Sequence, residues 1–454
     1  MNGRTRSLLL VALLATGGLT DPGRALAQPD APPAVLQRGS FLGIRQALDL
    51  AFRYHPSLQE GDAFLKAANA RTEQTKSLYL PQVYANFDSA AGSGRINPRY
   101  LIGGGLLQPN LSAYSGGVLA TQRLYDFGFT QNLVESNEIA ARAQIQDISA
   151  RRAWVSVTVQ RAYLNSLKRR RIVQIAEETV RERGVIKSQI DALYRQQLKS
   201  KLDLDLVQVE LTNAESLLVR ARNDLKSSYA DLNRAMGVAG TDDYVLEDVA
   251  IRVQSAGTLE SLITESLDHP ELKRAKEQIR SAEAKLRATK KQYLPTVQAL
   301  ASVGDYETFD ASRGVPTGGW WTAGGMVSMP LFTGFLIENQ VREAAAQQDA
   351  AQATSTSIEQ ALTQQVTNAY LDTVTQAQQI KLADEQVKTA REALNLAKQR
   401  YKLGLGSVVE VTQSEVAVTG AQTRLAEAQY DYKTAEVTLA YATGALAGEM
   451  RGGK

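Results

Sequence analysis

Residues 79–88 read YLPQVYANFD, and residues 293–302, which lie 214 positions later, read YLPTVQALAS. Proline is tolerated at the first residue of a strand and disfavours helix in the residue before it. After the proline of the first stretch, Val83, Ala85 and Phe87 alternate with more polar side chains, and a period of two is typical of a strand. The two stretches therefore predict the same junction, from helix to strand, at two places in the chain.

The rest of the chain repeats around these two junctions. The matched strings keep their order, and their offset drifts only between 206 and 214 positions, which chance does not explain for an ordered series. We predict two copies of one design, residues 40–237 and residues 259–446, joined by an equatorial linker at 238–258. The clearest matches are YHPSL at 54–58 with DHPEL at 268–272, GGV at 116–118 with GGM at 324–326, LYDFG at 124–128 with LFTG at 331–334, and AYL at 162–164 with AYL at 369–371.

Each copy contains two segments with strand character, and each segment has about ten residues, the length that crosses a membrane when tilted. The predicted strands lie at about 82–92, 114–125, 296–306 and 320–329. Aromatic residues gather near the strand ends, where they suit an interfacial girdle. Two exposed hairpins on a soluble protein are the alternative, but isolated hairpins are marginal in water and their edges aggregate. The predicted girdle consists of Tyr100, Tyr114, Tyr306, Trp320 and Trp321.

Four strands cannot close a membrane barrel, although every backbone group that faces lipid must be hydrogen-bonded. Several chains must therefore share one barrel. Two chains give eight strands and an interior filled by side chains, whereas three chains give twelve strands and room for a water-filled bore. The residues alone leave the number of chains open.

Two long stretches have helical character. From about Gly128 to Leu193 the chain has no proline and one further glycine, and from about Phe335 to Leu403 it has neither. At about 1.5 Å per residue each stretch would measure roughly 100 Å, too long for one globular domain. Returning helices are predicted at about 204–236 and 408–442. A soluble periplasmic coiled-coil scaffold or adaptor protein is the alternative, and it accounts for the helices but not for the strands.

Composition excludes several classes of function. The chain has 454 residues, no cysteine and only two histidines, so disulfides, cysteine metal sites and thiol catalysis are impossible. Both histidines, His55 and His269, precede proline and are predicted as turn residues at helix starts. The net charge is only +3, which argues against nucleic acid as a partner. With no credible catalytic set, we predict that the protein is not an enzyme and uses no cofactor or metal.

The chain ends also carry signals. Arg4 and Arg6 precede a short apolar run and a small-residue cleavage site, which is typical of a secretory signal peptide covering residues 1–27. A retained anchor is the alternative, but the apolar run is too short to span a bilayer. Residues 28–39 are predicted to be a flexible N-terminus, and residues 447–454 a C-terminal tail.

Taken together, these strings resemble the TolC-like outer-membrane efflux channels over nearly all of residues 40–446. The specific elements are the Tyr-Leu-Pro junctions, the strand-end strings at 124–128 and 331–334, and the turn RYKLGLGS at 400–407. The resemblance implies an α+β membrane protein: a homotrimer whose twelve-stranded β-barrel, with four strands per chain, continues into a long periplasmic α-helical barrel. It also implies a location in the cell outer membrane, with lipid around the barrel.

The same resemblance implies a function. The protein would be a passive exit duct that conducts substrates from a periplasm-spanning efflux or type I secretion complex to the exterior, opened by movement of its periplasmic helix tips. The implied partners are a periplasmic adaptor (membrane fusion) protein and an inner-membrane transporter, which would supply the energy.

The residues that carry this function by resemblance lie at two helix-tip turns. Asp203, Glu410 and Tyr401 match the periplasmic gate, where each acidic position would give a ring of three carboxylates in a trimer, and such rings select cations. The alternative is that both acidic residues are solvated residues near helix N-termini, where the helix dipole favours negative charge. The implied contacts with the adaptor are Leu198, Ser200, Leu403, Gly404, Leu405 and Ser407.

Three positions depart from the family pattern. Gln197 stands where glycine is common, which predicts a differently shaped turn in the first copy. Gly406 stands where a well-known member has a basic residue that locks the gate, so Lys199 and Lys201 become the candidates for that role. Gln413 stands where a second acidic ring could be, which predicts a less charged gate.

Overall fold

The computed structural model describes most of the chain. The predicted signal peptide (1–27), residues 28–38 of the predicted flexible N-terminus, Tyr100 and residues 450–454 of the predicted tail lie outside the described residues. The described ranges are 39–92, 101–102, 105–106, 111–239, 243–254, 257–308 and 318–449.

Both halves of the chain present their helices and long strands in the same order. Short helices lead to a β-hairpin, which is followed by a very long helix and a returning helix. In the first half the elements are β1 (Ser40–Leu42), α1 (Ile44–Tyr54), α2 (Pro56–Lys76), β2 (Gln82–Gly92), β3 (Leu101–Ile102), β4 (Gly105–Leu106), β5 (Leu111–Tyr125), α3 (Phe129–Arg195) and α4 (Lys201–Met236). In the second half they are β6 (Tyr244–Leu246), α5 (Leu259–Ser266), α6 (Pro270–Lys290), β7 (Thr296–Thr308), β8 (Gly318–Ser328), α7 (Leu336–Lys402), α8 (Val408–Ala442) and α9 (Ala445–Glu449).

The four long strands form one antiparallel sheet in the order β2-β5-β7-β8. The two halves meet in its centre, where β5 pairs with β7 from Ala113↔Thr308 onwards. Both strands run beyond their predicted ends, β5 to Leu111, which pairs with Gly92 of β2, and β7 to Thr308. Within the described chain, the outer edges of β2 and β8 have no strand partner. The sheet therefore ends in two open edges.

The helices form two layers that share α3 and α7. Next to the sheet, α2, α3, α6 and α7 lie side by side, and further away the order is α4, α3, α8 and α7. Each of the shared helices has 67 residues and is therefore about 100 Å long. None of the helices in the described ranges is both long and apolar enough to cross a membrane.

A compact joint lies where the two helix layers meet. Strand β1 pairs in parallel with β6, and this short sheet lies against α3. The fully buried Tyr163 donates its hydroxyl proton towards the carbonyls of Leu42, at 2.9 Å, and Glu247, at 2.7 Å. Most of the buried apolar side chains of this joint come from α1, α3 and α4 of the first half. The linker is also held to α8 of the second half, where Tyr430 donates to Asp248 at 3.0 Å and Tyr432 accepts the N–H of Gln254 at 3.0 Å.

Both histidines are helix N-caps at this joint, which confirms their predicted role as turn residues at helix starts. The Nδ1 atom of His55 accepts the backbone N–H of Ser57 at 3.2 Å, and the Nδ1 atom of His269 accepts that of Glu271 at 3.3 Å. In each case proline occupies the first helical position, where its missing N–H costs nothing. The two caps thus orient α2 and α6 towards the sheet in the same way.

The described part of the C-terminal end is helical. Residues 447–454 are predicted as a tail, but α9 continues the helical structure to Glu449. This short helix forms because it packs against α3 and α8 after the turn at Gly444.

Candidate functional site at the helix tips

The two turns that reverse the long helices are built alike. After α3, the N–H of Leu198 donates to the carbonyl of Leu193 at 2.9 Å. After α7, the N–H of Leu405 donates to the carbonyl of Arg400, also at 2.9 Å. A second bond, which spans three residues instead of five, closes each turn, from the N–H of residue 197 to the carbonyl of residue 194 and from the N–H of residue 404 to the carbonyl of residue 401. This pair of bonds is a Schellman motif, which satisfies the last free carbonyls of a helix.

The prediction that Gln197 gives a differently shaped first turn is wrong. Gln197 has φ +61°, and Gly404 at the matching position has φ +72°, so both residues occupy the left-handed region. A residue with a Cβ pays roughly 1–2 kcal/mol in this region. Because the two Schellman bonds fix the turn, the backbone keeps its shape and Gln197 adopts the strained left-handed conformation.

Each returning helix begins with a serine N-cap and an acidic residue three positions later. The hydroxyl of Ser200 accepts the N–H of Asp203 at 3.1 Å, and the Asp203 carboxylate in turn accepts the N–H of Ser200 at 3.2 Å. Ser407 likewise accepts the N–H of Glu410 at 3.3 Å. Both acidic residues therefore lie in the first turn of a helix, where the dipole stabilises negative charge. The same positions place both residues at the helix tips.

The two candidate lysines have different surroundings. Lys201 pairs with Asp205 on its own helix at 2.7 Å. In contrast, the ammonium nitrogen of Lys199 lies 4.2 Å from the ring centre of Tyr401, which belongs to the other hairpin. Lys199 therefore joins the two tip turns of one chain through a cation–π contact rather than a salt bridge.

Tyr401 also belongs to a small apolar cluster that lies just inside the helices, directly above the tip turns. Ile190 of α3, Val207 of α4 and Val408 of α8 are buried together, and Tyr401 packs against them. The cluster joins the two hairpins close to their tips. Movement of one tip relative to the other must disturb it.

The predicted adaptor contacts present a mixed surface. Leu198, Leu403 and Leu405 are 65%, 74% and 68% exposed. Exposed apolar side chains grouped in this way are typical of interaction sites. Ser200 and Ser407 have their hydroxyls engaged in the helix caps, so they are less available to a partner.

A buried layer of charged side chains, which the sequence patterns did not predict, lies above the tips. The Glu415 side chain is only 5% exposed, and its carboxylate lies 3.2 Å from the Lys398 ammonium. Arg183, which faces the same layer, pairs with the carboxylate of Glu210 at 3.0 Å. Burial raises the pKa of Glu415, although Lys398 and Arg183 oppose the shift.

A sequence signal for this layer existed. Val408, Val411, Glu415 and Val418 follow one another at spacings of three and four, so the acidic residue interrupts an otherwise apolar helix stripe. Its cationic partners come from α3 and α7, and only the structure brings them together.

At the other end of the molecule, the predicted girdle is only partly described. Trp321 is 79% exposed, whereas Trp320 lies across the sheet against Gly304. A Cβ atom at Gly304 would come within 2.8 Å of the Trp320 ring, so glycine is needed for this packing. Tyr100 and the side chains of Tyr114 and Tyr306 lie outside the described residues.

Comparison with known proteins identifies the family that has this architecture. The family model described as "Outer membrane efflux protein" matches residues 47–238 and 264–445, which is most of the chain. The chain belongs to the outer membrane efflux protein family. The two matched ranges correspond to the two halves described above, and the resemblance drawn from the sequence is confirmed.

Curated relatives of this family match over nearly their whole length. The outer membrane efflux protein BepC of Brucella suis biovar 1 (strain 1330) is 20% identical over 414 residues, which cover 89% of this chain and 86% of BepC. The outer membrane protein TolC of Escherichia coli (strain K12) is 23% identical over 452 residues, which cover 90% of this chain and 85% of TolC. The protein CyaE of Bordetella pertussis (strain Tohama I / ATCC BAA-589 / NCTC 13251) is 25% identical and covers 93% of this chain and 88% of CyaE.

Solved structures share the fold. A CusC structure superposes with a TM-score of 0.76 at 17% identity, covering 94% of this chain and 99% of CusC. The outer membrane protein VceC from Vibrio cholerae superposes with a TM-score of 0.73 at 17% identity, covering 88% and 96%. The protein is therefore an efflux channel of the outer membrane, and family membership disfavours the soluble scaffold. The family consists of channels rather than enzymes.

Proposed function

We propose that three copies of this chain close into one tube that serves as a passive exit duct for a periplasm-spanning efflux or type I secretion complex. The observation that carries this proposal is that every layer of the chain ends in two open edges. The sheet ends at β2 and β8, the upper helix layer at α2 and α7, and the lower helix layer at α4 and α7.

The edge helices of the lower layer expose apolar side chains that a neighbouring copy would cover. On α4, Leu202 and Val209 are 68% and 56% exposed, and on α7, Leu382 and Leu396 are 59% and 60% exposed. The two edges are different surfaces, so contact between α4 of one copy and α7 of the next is head-to-tail. A contact of this kind gives a closed ring when the rotation matches, and an open filament when it does not.

A cysteine cross-link can count the copies in the ring. Val209 and Leu396 lie at similar heights, roughly 13 and 10 Å above the tips at about 1.5 Å per residue. Within one chain they are separated by α3 and α8, which is too far for a disulfide. Because the natural chain has no cysteine, the double variant Val209→Cys/Leu396→Cys should cross-link only between copies. We expect a ladder that ends at three copies, with each single variant as control. A ladder that ends at two, or that continues beyond three, would refute the trimer.

At the tips, the repeated halves would place Asp203 and Glu410 around the bore as two rings of three carboxylates. Tyr401 and Lys199 would hold the two hairpins of each copy together until an adaptor engages the exposed leucines. The inner-membrane transporter would supply the energy, so that this chain needs no chemistry of its own.

Planar-bilayer recording tests the duct and the gate separately. Alanine at position 203 would also remove a helix cap, so the sharper variant is Asp203→Asn/Glu410→Gln, which removes the charges and keeps the cap acceptor. The matched control is Asp205→Asn, which removes a nearby charge from the same helix. We expect cation-preferring channels that lose their preference only in the double variant. Unchanged selectivity would discard the two gate residues, and a protein that never conducts would discard the duct.

A further inference from the structure

A cavity of about 560 Å³ lies between the upper helices, far from the tips. Its size falls within the range of small-molecule sites, about 300–1,000 Å³. Side chains of all four helices α2, α3, α6 and α7 line it. Four helices that lie side by side can share one cavity only if the layer curves around it. We place the cavity on the concave face of this layer, which in the proposed tube is the face of the bore.

The lining of this cavity carries an excess of positive charge. Arg151 and Arg274 both contact the carboxylate of Asp147, at 2.6 and 2.9 Å. Arg71 and Lys285 complete the charged lining, which amounts to four cations and one carboxylate. A second carboxylate, from a glutamate outside the lining, pairs with Arg151 and leaves the excess at two positive charges.

Three of these cations have N–H groups that no carboxylate in the described part of the chain accepts. Arg71 is exposed and has no ion pair among the described residues. The Lys285 ammonium donates to the neutral amide oxygen of Gln347 at 3.1 Å. The Nε atom of Arg274 is buried and has no hydrogen-bond partner in the part of the chain that the structure describes. A buried donor without an acceptor is costly, and an anionic ligand would satisfy it.

The uncharged part of the lining is mixed: one aromatic ring and five alanines are apolar, whereas Gln144, Gln278, Ser281 and Gln347 are polar. The Phe64 ring borders the cavity and stacks under the Arg151 guanidinium, with 5.9 Å between the guanidinium carbon and the ring centre. Small side chains, here called the alanine floor, border the cavity beside the charged groups and leave room for the face of a ring. The alanines of this floor are Ala67, Ala68, Ala140, Ala143 and Ala282.

We propose that this cavity binds organic anions that combine a carboxylate or sulfonate group with an apolar ring. The acidic group would lie between Arg71, Arg274 and Lys285, and the ring on the alanine floor beside Phe64. This inference rests on the proposed tube only for its position in the bore, since the cavity is complete within one chain. In the tube, three such sites would raise the local concentration of anionic cargo on its way to the exit.

Equilibrium binding to the full protein in lipid nanodiscs tests the proposal. The probe is naphthalene-2-sulfonate, with 2-naphthalenemethanol as the uncharged ring and inorganic sulfate as the anion without a ring. The variant Arg71→Gln/Lys285→Gln removes two cations that lack a carboxylate partner and leaves the pairs on Asp147 intact. The control Arg222→Gln/Lys388→Gln removes the same charge from the lower helices, at ion pairs far from the cavity.

We expect naphthalene-2-sulfonate to bind the natural protein and the control alike, and about tenfold more weakly to Arg71→Gln/Lys285→Gln. Both the alcohol and sulfate should bind at least about tenfold more weakly than the sulfonate. Equal affinity for the sulfonate in the variant and the control would overturn the site, and sulfate binding as tight as the sulfonate would overturn the organic-anion class. Conductance of the same preparations reports the duct independently, so binding without conductance would refute the proposed duct and leave this site standing.

Discussion

Gly237 offers a sharp test of the joint between the helix layers. It ends α4 with φ +70°, and a Cβ atom there would come within 2.8 Å of the Cα atom of His55 and 3.1 Å of the Pro56 ring. The His55 contact is with backbone, so the whole junction between α1 and α2 would have to shift. Gly444 is the matching residue of the second half, with φ +81°, but an added Cβ atom there would lie 3.3 Å from the Cα atom of His269, so the backbone would have to shift by only a few tenths of an ångström.

The magnitudes follow from these distances. The left-handed conformation alone costs a residue with a Cβ roughly 1–2 kcal/mol. Gly404, which has φ +72° and nothing within 4 Å of an added Cβ, isolates this conformational cost. At Gly237 the backbone clash adds about 1–3 kcal/mol, as overpacking does in cores. We therefore expect losses of about 1–2 kcal/mol for Gly404→Ala, slightly more for Gly444→Ala, and about 2–5 kcal/mol for Gly237→Ala.

Thermal unfolding followed by helix circular dichroism, at one fixed scan rate, is the assay. A chain of 454 residues has an unfolding entropy of roughly 1 kcal/mol per kelvin, so the expected drops in Tm are about 2–5 °C for Gly237→Ala and about 1–2 °C for Gly404→Ala. Gly184→Ala should move Tm the other way, because this glycine lies inside α3 with nothing near an added Cβ, and alanine favours helix. Equal drops at positions 237 and 404 would refute the clash argument, and a drop at neither would refute the backbone geometry.

Three further predictions concern charge. Lys199→Met should weaken the link between the tips by about 0.5–1 kcal/mol and raise the open fraction of channels about two- to fivefold in bilayer recordings, whereas Tyr401→Phe, which keeps the ring, should not. Burial raises the pKa of Glu415, so the folded state favours the protonated carboxyl, and stability falls as pH rises through that pKa. Glu415→Gln should therefore raise Tm near pH 7.5 and lose this advantage near pH 4. Burial lowers the pKa of His269; Glu271 raises it by a smaller amount, and Lys273 lowers it a little further. The stability contribution of His269 is therefore present above about pH 6.5 and is lost as pH falls. His269→Asn keeps a cap acceptor and should flatten the dependence of Tm on pH in that window.

Much of the fold was predictable because the physical signals are local. Proline after Tyr-Leu and strict alternation specify the strands, and the absence of proline lets α3 and α7 run for 67 residues each. The start of α4 was predicted at about residue 204, but the capping box of Ser200 and Asp203 begins it at Lys201. That signal was also in the sequence, as a serine followed three residues later by an acidic residue.

The candidate site was less predictable, because its contacts join different helices, and some of them join residues more than 200 positions apart. No spacing rule tells that Lys199 lies over Tyr401, or that the carboxylate of Glu415 lies against cations from two other helices. The shape of the first tip turn was mispredicted for a related reason. Glutamine at position 197 only weakly disfavours the left-handed conformation, and the two hydrogen bonds that close the turn outweigh this local preference.

The number of copies can be argued one step further from the dimensions of the layers. Tilted strands occupy about 6 Å each around a barrel, given a spacing of about 4.8 Å and a tilt of about 40°. Two copies would give eight strands and a barrel about 16 Å across, which side chains fill. Packed helices occupy about 9 Å each, so the eight helices of the same pair would surround a ring about 24 Å across, measured between helix axes. Such an assembly would have a roomy periplasmic part and a blocked exit. With three copies the barrel widens to about 23 Å and the helical ring to about 35 Å, so that three is the smallest number that leaves the tube open along its whole length.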